Sequence, residues 1–263
     1  MAIGEPVLRR ARLTVAYDGS SFHGFAENDG VRTVAGVLRE AVEKVVRQSI
    51  DLVGAGRTDA GVHAWGQVVS CDLPADIDLE ALTRRVNRMC APSITVRAAA
   101  WADSPDFSAR FSGTWRHYRY DVWNAPEANP FLASTSWHVP APLSLWALRL
   151  TCDPFIGEHD FSSFCRRPKP ASDQPEPSMV RRVIHASWND VPSDFGPGLL
   201  RFEIRANAFC HQMVRSIVGT MVEAGSGRIH PGDIRSILLA KDRKLAGHVA
   251  PPQGLCLWEV GYE

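Results

Sequence analysis

Twice along its 263 residues the chain changes hydrophobic period in roughly the same order, with longer connections the second time, and few folds satisfy that order. In the first half, Leu13, Val15 and Tyr17 alternate with Arg12, Thr14 and Ala16, which predicts a strand ending in the turn signal Asp18-Gly19-Ser20. After a polar loop from Ser21 to Arg32, Thr33 is an N-cap by type. Val34, Val37, Leu38, Ala41, Val42, Val45 and Val46 then recur at three and four, a helix that should end near Gln48. A short strand at Asp51-Leu52-Val53, a strand from Gly66 to Leu73, a helix from Asp78 with Leu79, Leu82, Val86 and Met89 inward, and a strand from Ile94 to Ala99 follow. Strand, helix, strand, strand, helix, strand is the split βαβ, or ferredoxin-like, arrangement. It predicts a four-stranded antiparallel sheet with both helices on one face.

A second unit begins after Asp103-Ser104-Pro105-Asp106. The strand Trp115 to Trp123 sets Tyr118, Tyr120 and Val122 on one face and Trp115, His117, Arg119 and Asp121 on the other. A helix fits Leu143 to Leu150, and strands fit Arg181 to Trp188 and Leu200 to Ala206. A long helix from about His211 carries Met213, Val214, Ile217, Val218, Met221 and Val222 and stops at Gly225-Ser226-Gly227. A last helix, Pro231 to Ala240, precedes a final strand, Leu255 to Val260. Between these elements, Arg166 to Ser178 holds four prolines and reads as an exposed mobile loop. The fold class expected is therefore α+β, with one ferredoxin-like domain over residues 1–104 and a second over 105–263.

The stretch with the most chemistry joins the second and third strands: Gly54-Ala55-Gly56-Arg57-Thr58-Asp59-Ala60-Gly61-Val62-His63-Ala64. Four small residues permit positive φ and close approach of backbone to a ligand, while Arg57 and Asp59 project from the middle. The match to a phosphate-binding Gly-x-Gly-x-x-Gly turn is superficial, because Val62 to Val69 reads as loop running into strand. The helix N-terminus that would hold a pyrophosphate is missing. Taken alone, Asp59 reads equally as a turn residue capping its own backbone or as a functional carboxylate.

Composition narrows the classes. No run approaches the roughly 18 apolar residues of a membrane span, and Met1 to Pro6 lacks a signal-peptide core, so a cytoplasmic protein is expected. Six cysteines without a Cys-x-x-Cys pair argue for free thiols packed as small hydrophobes rather than a zinc site or disulfide framework. Net charge is zero, so a polyanion must be met locally. Of the 29 basic residues 25 are arginine, bunched at Arg110, Arg116 and Arg119, at Arg166 and Arg167, and at Arg181 and Arg182, a pattern suited to RNA phosphates and bases.

These residues carry a resemblance. Gly56 to Ala64, preceded by Tyr17-Asp18-Gly19, Phe22, Gly24 and Arg32-Thr33-Val34, resembles the bacterial tRNA pseudouridine synthase A family. Later blocks follow in the family's order: Arg110-Phe111-Ser112, Arg116 to Tyr120, Gly157-Glu158-His159-Asp160-Phe161, Asn207-Ala208-Phe209 with Met213-Val214-Arg215, and Gly254-Leu255 to Tyr262. The resemblance runs nearly end to end. It implies a pseudouridine synthase fold in which two antiparallel sheets meet at a central active-site cleft, and isomerisation of uridine to pseudouridine in the anticodon arm of tRNA. It also implies a homodimer and no metal, nucleotide or other cofactor.

The family's nucleophilic aspartate falls on Asp59, which would engage C6 of the ring, C1′ of the sugar or the 2′ hydrogen. Burial would raise the pKa of that carboxylate, so a cation should sit beside it, and the resemblance places Arg215 there. Tyr118 matches the tyrosine that stacks on the target base and helps remove the C5 proton. Arg57 matches the arginine that fills the space of a flipped base. Thr58, His63, Arg110, Arg116, Arg119, Arg166 and Arg167 complete the expected substrate-binding set, with packing or hydrogen bonding the other reading for His63, His159 and His211. The chain departs from the pattern at Gly24-Phe25-Ala26 and Arg32-Thr33-Val34-Ala35-Gly36, where a glutamine is lost each time, and at Cys210-His211-Gln212. Two other classes compete. One is a catalytically silent RNA-binding protein with paired ferredoxin-like domains, though the Gly-Phe-x-Phe signature is not seen. The other, a nucleotide-dependent enzyme, would need a helix after Gly61.

Overall fold

The computed structural model describes residues 7–167 and 177–263. Met1 to Pro6, read as lacking a signal-peptide core, and most of the proline-rich stretch 166–178, read as an exposed loop, fall outside the described residues. The chain divides into two compact units, residues 1–114 with 257–263, and residues 115–256.

In the first unit the strand-period segments become β1 (Leu8–Tyr17), β2 (Val53–Gly54), β3 (His63–Pro74) and β4 (Ile94–Trp101), and the helix-period segments become α1 (Val34–Val46) and α2 (Leu79–Cys90). Strand β1 is central. It pairs antiparallel with β3, Leu13 opposite Val69, and with β4, Leu13 opposite Ala99, while β2 adds antiparallel to β3 through Val53 and Ser70. That 4-1-3-2 order is the one the ferredoxin-like reading requires. Ala11, Leu13, Val15, Val69, Cys71 and Leu73 are buried, as are Leu38 and Val42 of α1 and Leu82 and Val86 of α2. Each of the larger of these side chains contributes roughly 1.5–3 kcal/mol. Caps fall where residue type places them: Thr33 Oγ1 accepts from the Gly36 amide at 3.3 Å, and Asp78 Oδ1 from the Glu80 and Ala81 amides at 2.8 and 3.2 Å. Met89 corrects the expected inward set. It is 45% exposed, because the buried stripe of α2 runs through Leu82, Val86 and Cys90, one turn apart, and Met89 lies at its edge.

The second unit holds β5 (Trp115–Trp123), β6 (Trp137–His138), α3 (Leu145–Leu150), β7 (Gly157–Asp160), β8 (Val180–Asp190), β9 (Leu199–Ala206), α4 (Met213–Gly225) and α5 (Ile234–Ala240), and leads into β10 (Leu255–Gly261). β9 lies antiparallel between β5 and β8, with Tyr118 opposite Ile204 and Phe202 opposite Trp188, and β7 adds to β8. The alternation on β5 holds, with Tyr118, Tyr120 and Val122 all buried. Two strands, β6 and β7, go beyond the sequence reading. At two and four residues they are too short to show a period. α4 begins at Met213 rather than near His211, because Gln212 sits in the left-handed region at φ 62°. The segment Pro231–Asp233 is a single 3-10 turn that runs into α5.

Residues 105–114 lie with the first unit rather than the second. Arg10 Nη1 donates to the Phe107 carbonyl at 2.7 Å, the Ala109 amide to Ser70 Oγ at 3.1 Å and the Tyr262 hydroxyl to the Ala109 carbonyl at 2.9 Å. These are long-range contacts that a local composition shift cannot reveal. All six cysteines are free thiols, four buried and Cys210 and Cys256 partly exposed. Among the described residues no helix is long and apolar enough to cross a membrane.

Candidate active site

In the first unit the candidate carboxylate, Asp59, stands half-buried in the loop between β2 and β3, flanked by exposed Arg57 and buried Thr58. Backbone and side-chain bonds hold the loop on every side. The Phe25 amide donates to the Thr58 carbonyl at 3.0 Å, and the Val62 amide to the Asp59 carbonyl at 3.1 Å. Gln67, fully buried, donates from Nε2 to the Gly56 carbonyl at 2.7 Å. Two glycines of the preceding segment are required by contact. A Cβ on Gly19 would lie 2.0 Å from the Val62 carbonyl oxygen, and one on Gly24, already at φ +98°, would lie 2.9 Å from that of Thr58.

His63 is buried and packs into this scaffold, its Nδ1 lying 3.2 Å from both the Gly19 amide and the Asp18 carboxylate. Burial pushes the Asp18 carboxyl up, but bonds from the Ser20 hydroxyl and amide, with His63, outweigh it and hold Asp18 below the ordinary carboxylate range. After Gly61 the chain enters β3 rather than a helix, so the nucleotide-dependent reading loses its structural requirement.

In the second unit, Tyr118 is buried on the helix-facing side of β5 and meets the Phe209 ring edge-on, centroids 5.0 Å apart. Arg215, in the first turn of α4, donates from Nε to the Ala250 carbonyl at 2.7 Å. The next carbonyl, Pro251, accepts from the Tyr120 hydroxyl at 2.8 Å. Burial pushes the Tyr120 hydroxyl well above its ordinary pKa, against the nearby positive charge of Arg215. The tyrosine face of β5 and the guanidinium of α4 are thus tied to consecutive residues of one segment.

A family model described as tRNA pseudouridine synthase matches residues 13–112 and 152–263. The chain belongs to that family. Curated relatives named "tRNA pseudouridine synthase A" include one from Geobacillus kaustophilus, 39% identical over 257 residues, which cover 97% of this chain and 95% of that one. Another from Corynebacterium glutamicum is 38% identical over 264 residues, covering 96% of this chain and 89% of that one. A third, from Bacillus pumilus, is 37% identical over 256 residues, covering 97% and 99%.

For a tRNA pseudouridine synthase the arginines are unevenly placed. Arg116 shares the Tyr118 side of β5 and donates to the Asn207 carbonyl at 3.0 Å. Arg119 is on the opposite side, paired with Glu203 at 2.7 Å beside His117. Arg110 lies in the first unit, 5.2 Å from the exposed Phe111 ring. Arg166 and Arg167 are exposed at the edge of the described residues, with Arg167 Nη2 3.5 Å from Ser162 Oγ. Residues not singled out as site residues by the sequence reading are Gln67, Phe209, Ala250 and Pro251. The last two act through backbone carbonyls, which leave no mark on side-chain identity.

Proposed function

We propose that this chain isomerises uridine to pseudouridine in the anticodon stem-loop of tRNA, with Asp59 as the catalytic carboxylate, Arg215 as its cationic partner and Tyr118 as the ring beneath the target base. The observation that carries the reading is the placement of Asp59 on a loop whose neighbours are fixed by the Phe25 and Val62 amides, within a family match over residues 13–112 and 152–263. The chemistry asks for little else. The C1′–N1 bond breaks, C1′ bonds to C5, the C5 proton leaves and N1 takes one up, with no change of oxidation state. A carboxylate to start the exchange and a site that keeps the detached uracil in place suffice.

Uridine in a paired stem must leave the stack first, and exposed Arg57 beside Asp59 suits the role of filling the gap. The enzyme is read as a cytoplasmic homodimer that meets the anticodon arm through Arg110, Arg116, Arg119, Arg166 and Arg167, while buried Thr58 and His63 support the loop from within the protein. The test is tritium release from C5-labelled uridine in tRNA. Wild-type protein should release it and Asp59→Ala should not, with tRNA affinity and melting temperature nearly unchanged. Turnover in Asp59→Ala removes Asp59 from the mechanism, and tRNA binding by wild type without release leaves an RNA-binding protein.

A further inference from the structure

The motif Tyr17-Asp18-Gly19 has no role in the reaction just described, yet its first residue touches the catalytic loop. Tyr17 is the last residue of β1, and a register shift between Val15 and Tyr17 turns it to face Ala64 at the start of β3. It is 5% exposed, and its ring lies 6.1 Å from that of Phe25. Its hydroxyl is 2.7 Å from Thr58 Oγ1, and Thr58 is itself 7% exposed.

Thr58 immediately precedes Asp59, and three independent contacts converge on it. Its side chain meets Tyr17, its carbonyl accepts from the Phe25 amide at 3.0 Å, and Gly24 lies so close that any Cβ there would be 2.9 Å from that carbonyl oxygen. Ring packing alone would be met by phenylalanine. A buried hydroxyl facing a buried hydroxyl, by contrast, fixes one rotamer of Thr58, and leaving either unpaired costs about 1–3 kcal/mol. Orientation of the reacting group is where a small displacement matters most, since about 1 Å of misplacement costs on the order of a hundredfold in rate.

We propose that the Tyr17–Thr58 hydroxyl pair is a positioning device that sets the direction of the Asp59 carboxylate, with Tyr17 a positioning residue rather than a catalytic one. The inference rests on Asp59 being the catalytic carboxylate. It also turns the Thr58 hydroxyl inward to the protein rather than outward to tRNA.

Full-length Tyr17→Phe, Thr58→Val, the double variant, Thr58→Ser and Asp59→Ala would be compared by tritium release, separating kcat from KM for tRNA. Tyr17→Phe and Thr58→Val should each lower kcat about tenfold or more with KM within twofold. The double variant should be no slower than the worse single, and Thr58→Ser should recover most of what Thr58→Val loses. The proposal is overturned if Tyr17→Phe keeps kcat within twofold of wild type, if the loss lies in KM alone, or if the two single effects multiply. Should Tyr17→Phe fail to fold, Thr58→Val against Thr58→Ser decides by the same kcat criterion. Asp59→Ala separates the two readings. If it stays active, the assignment of Asp59 falls and this inference with it; if it is dead while Tyr17→Phe turns over normally, only the positioning role falls.

Discussion

Arg215 and Ala250 are bonded to each other twice: Nε of Arg215 donates to the Ala250 carbonyl at 2.7 Å, and the Ala250 amide donates to the Arg215 carbonyl at 3.0 Å. The reciprocal pair locks the segment after His248 along α4. It fixes the base of the guanidinium, so its orientation is set by the fold itself, as the role proposed for Arg215 requires.

Gly219 makes that close approach possible. A Cβ there would lie 1.8 Å from the His248 carbonyl oxygen and 3.3 Å from the Ala250 nitrogen, both backbone atoms with no rotamer to yield. Gly219→Ala should destabilise the protein by on the order of 3 kcal/mol. Its residual folded fraction should also turn over more slowly than wild type. Thermal unfolding together with single-turnover tritium release checks both.

Replacing Arg215 by lysine keeps the charge but removes the Nε donor and the planar fork. The Ala250 carbonyl then loses its partner, and the cation becomes a point charge on a flexible stem. Activity should fall about a hundredfold or more, with a loss of about 1–3 kcal/mol in stability from the orphaned carbonyl. A near wild-type kcat in Arg215→Lys would show that only the charge matters.

Arg57 is exposed on the loop that carries Asp59, and its proposed partners are RNA phosphate and the vacated base position. Arg57→Ala should raise KM for tRNA several-fold. It should also reduce the slope of log affinity against log salt by about one, the signature of one lost phosphate contact. Filter binding over a salt series measures this.

His117 supplies a pH dependence of stability. Burial pushes its imidazole down to about 4, with Glu203 at 3.4 Å pulling upward and Arg119, Arg205 and His185 pushing further down. The unfolded chain takes up this proton near pH 6.5, the folded chain only near 4, so between those values the unfolded state binds more protons. Stability should therefore fall as pH drops from 7 to 5, by about 1.5–2 kcal/mol from this group. Denaturant melts of wild type and His117→Gln should show the shallower slope in the variant.

Much of this was legible in the linear chain because the physics is local. Period-two alternation at Leu13, Val15 and Tyr17, the three-and-four spacing from Val34 and the type of Thr33 and Asp78 are set by neighbours a few residues away. They became β1, α1 with Thr33 as its N-cap, and a second helix that starts where Asp78 stands. The small residues around Asp59 marked the loop for the same reason, since a tight backbone needs glycine whatever surrounds it.

Sequence by itself thus determined the order of elements in the first unit and the identity of the loop that carries Asp59. Tertiary structure alone decided what depends on groups distant in the chain. It assigned residues 105–114 to the first unit through Arg10, Ser70 and Tyr262, seated Arg215 on a carbonyl 35 residues away, and set Tyr17 against Thr58 across 41. Backbone carbonyls and hydroxyl pairs of this kind have no periodicity, so only the folded chain, which brings them within 3 Å, can show them.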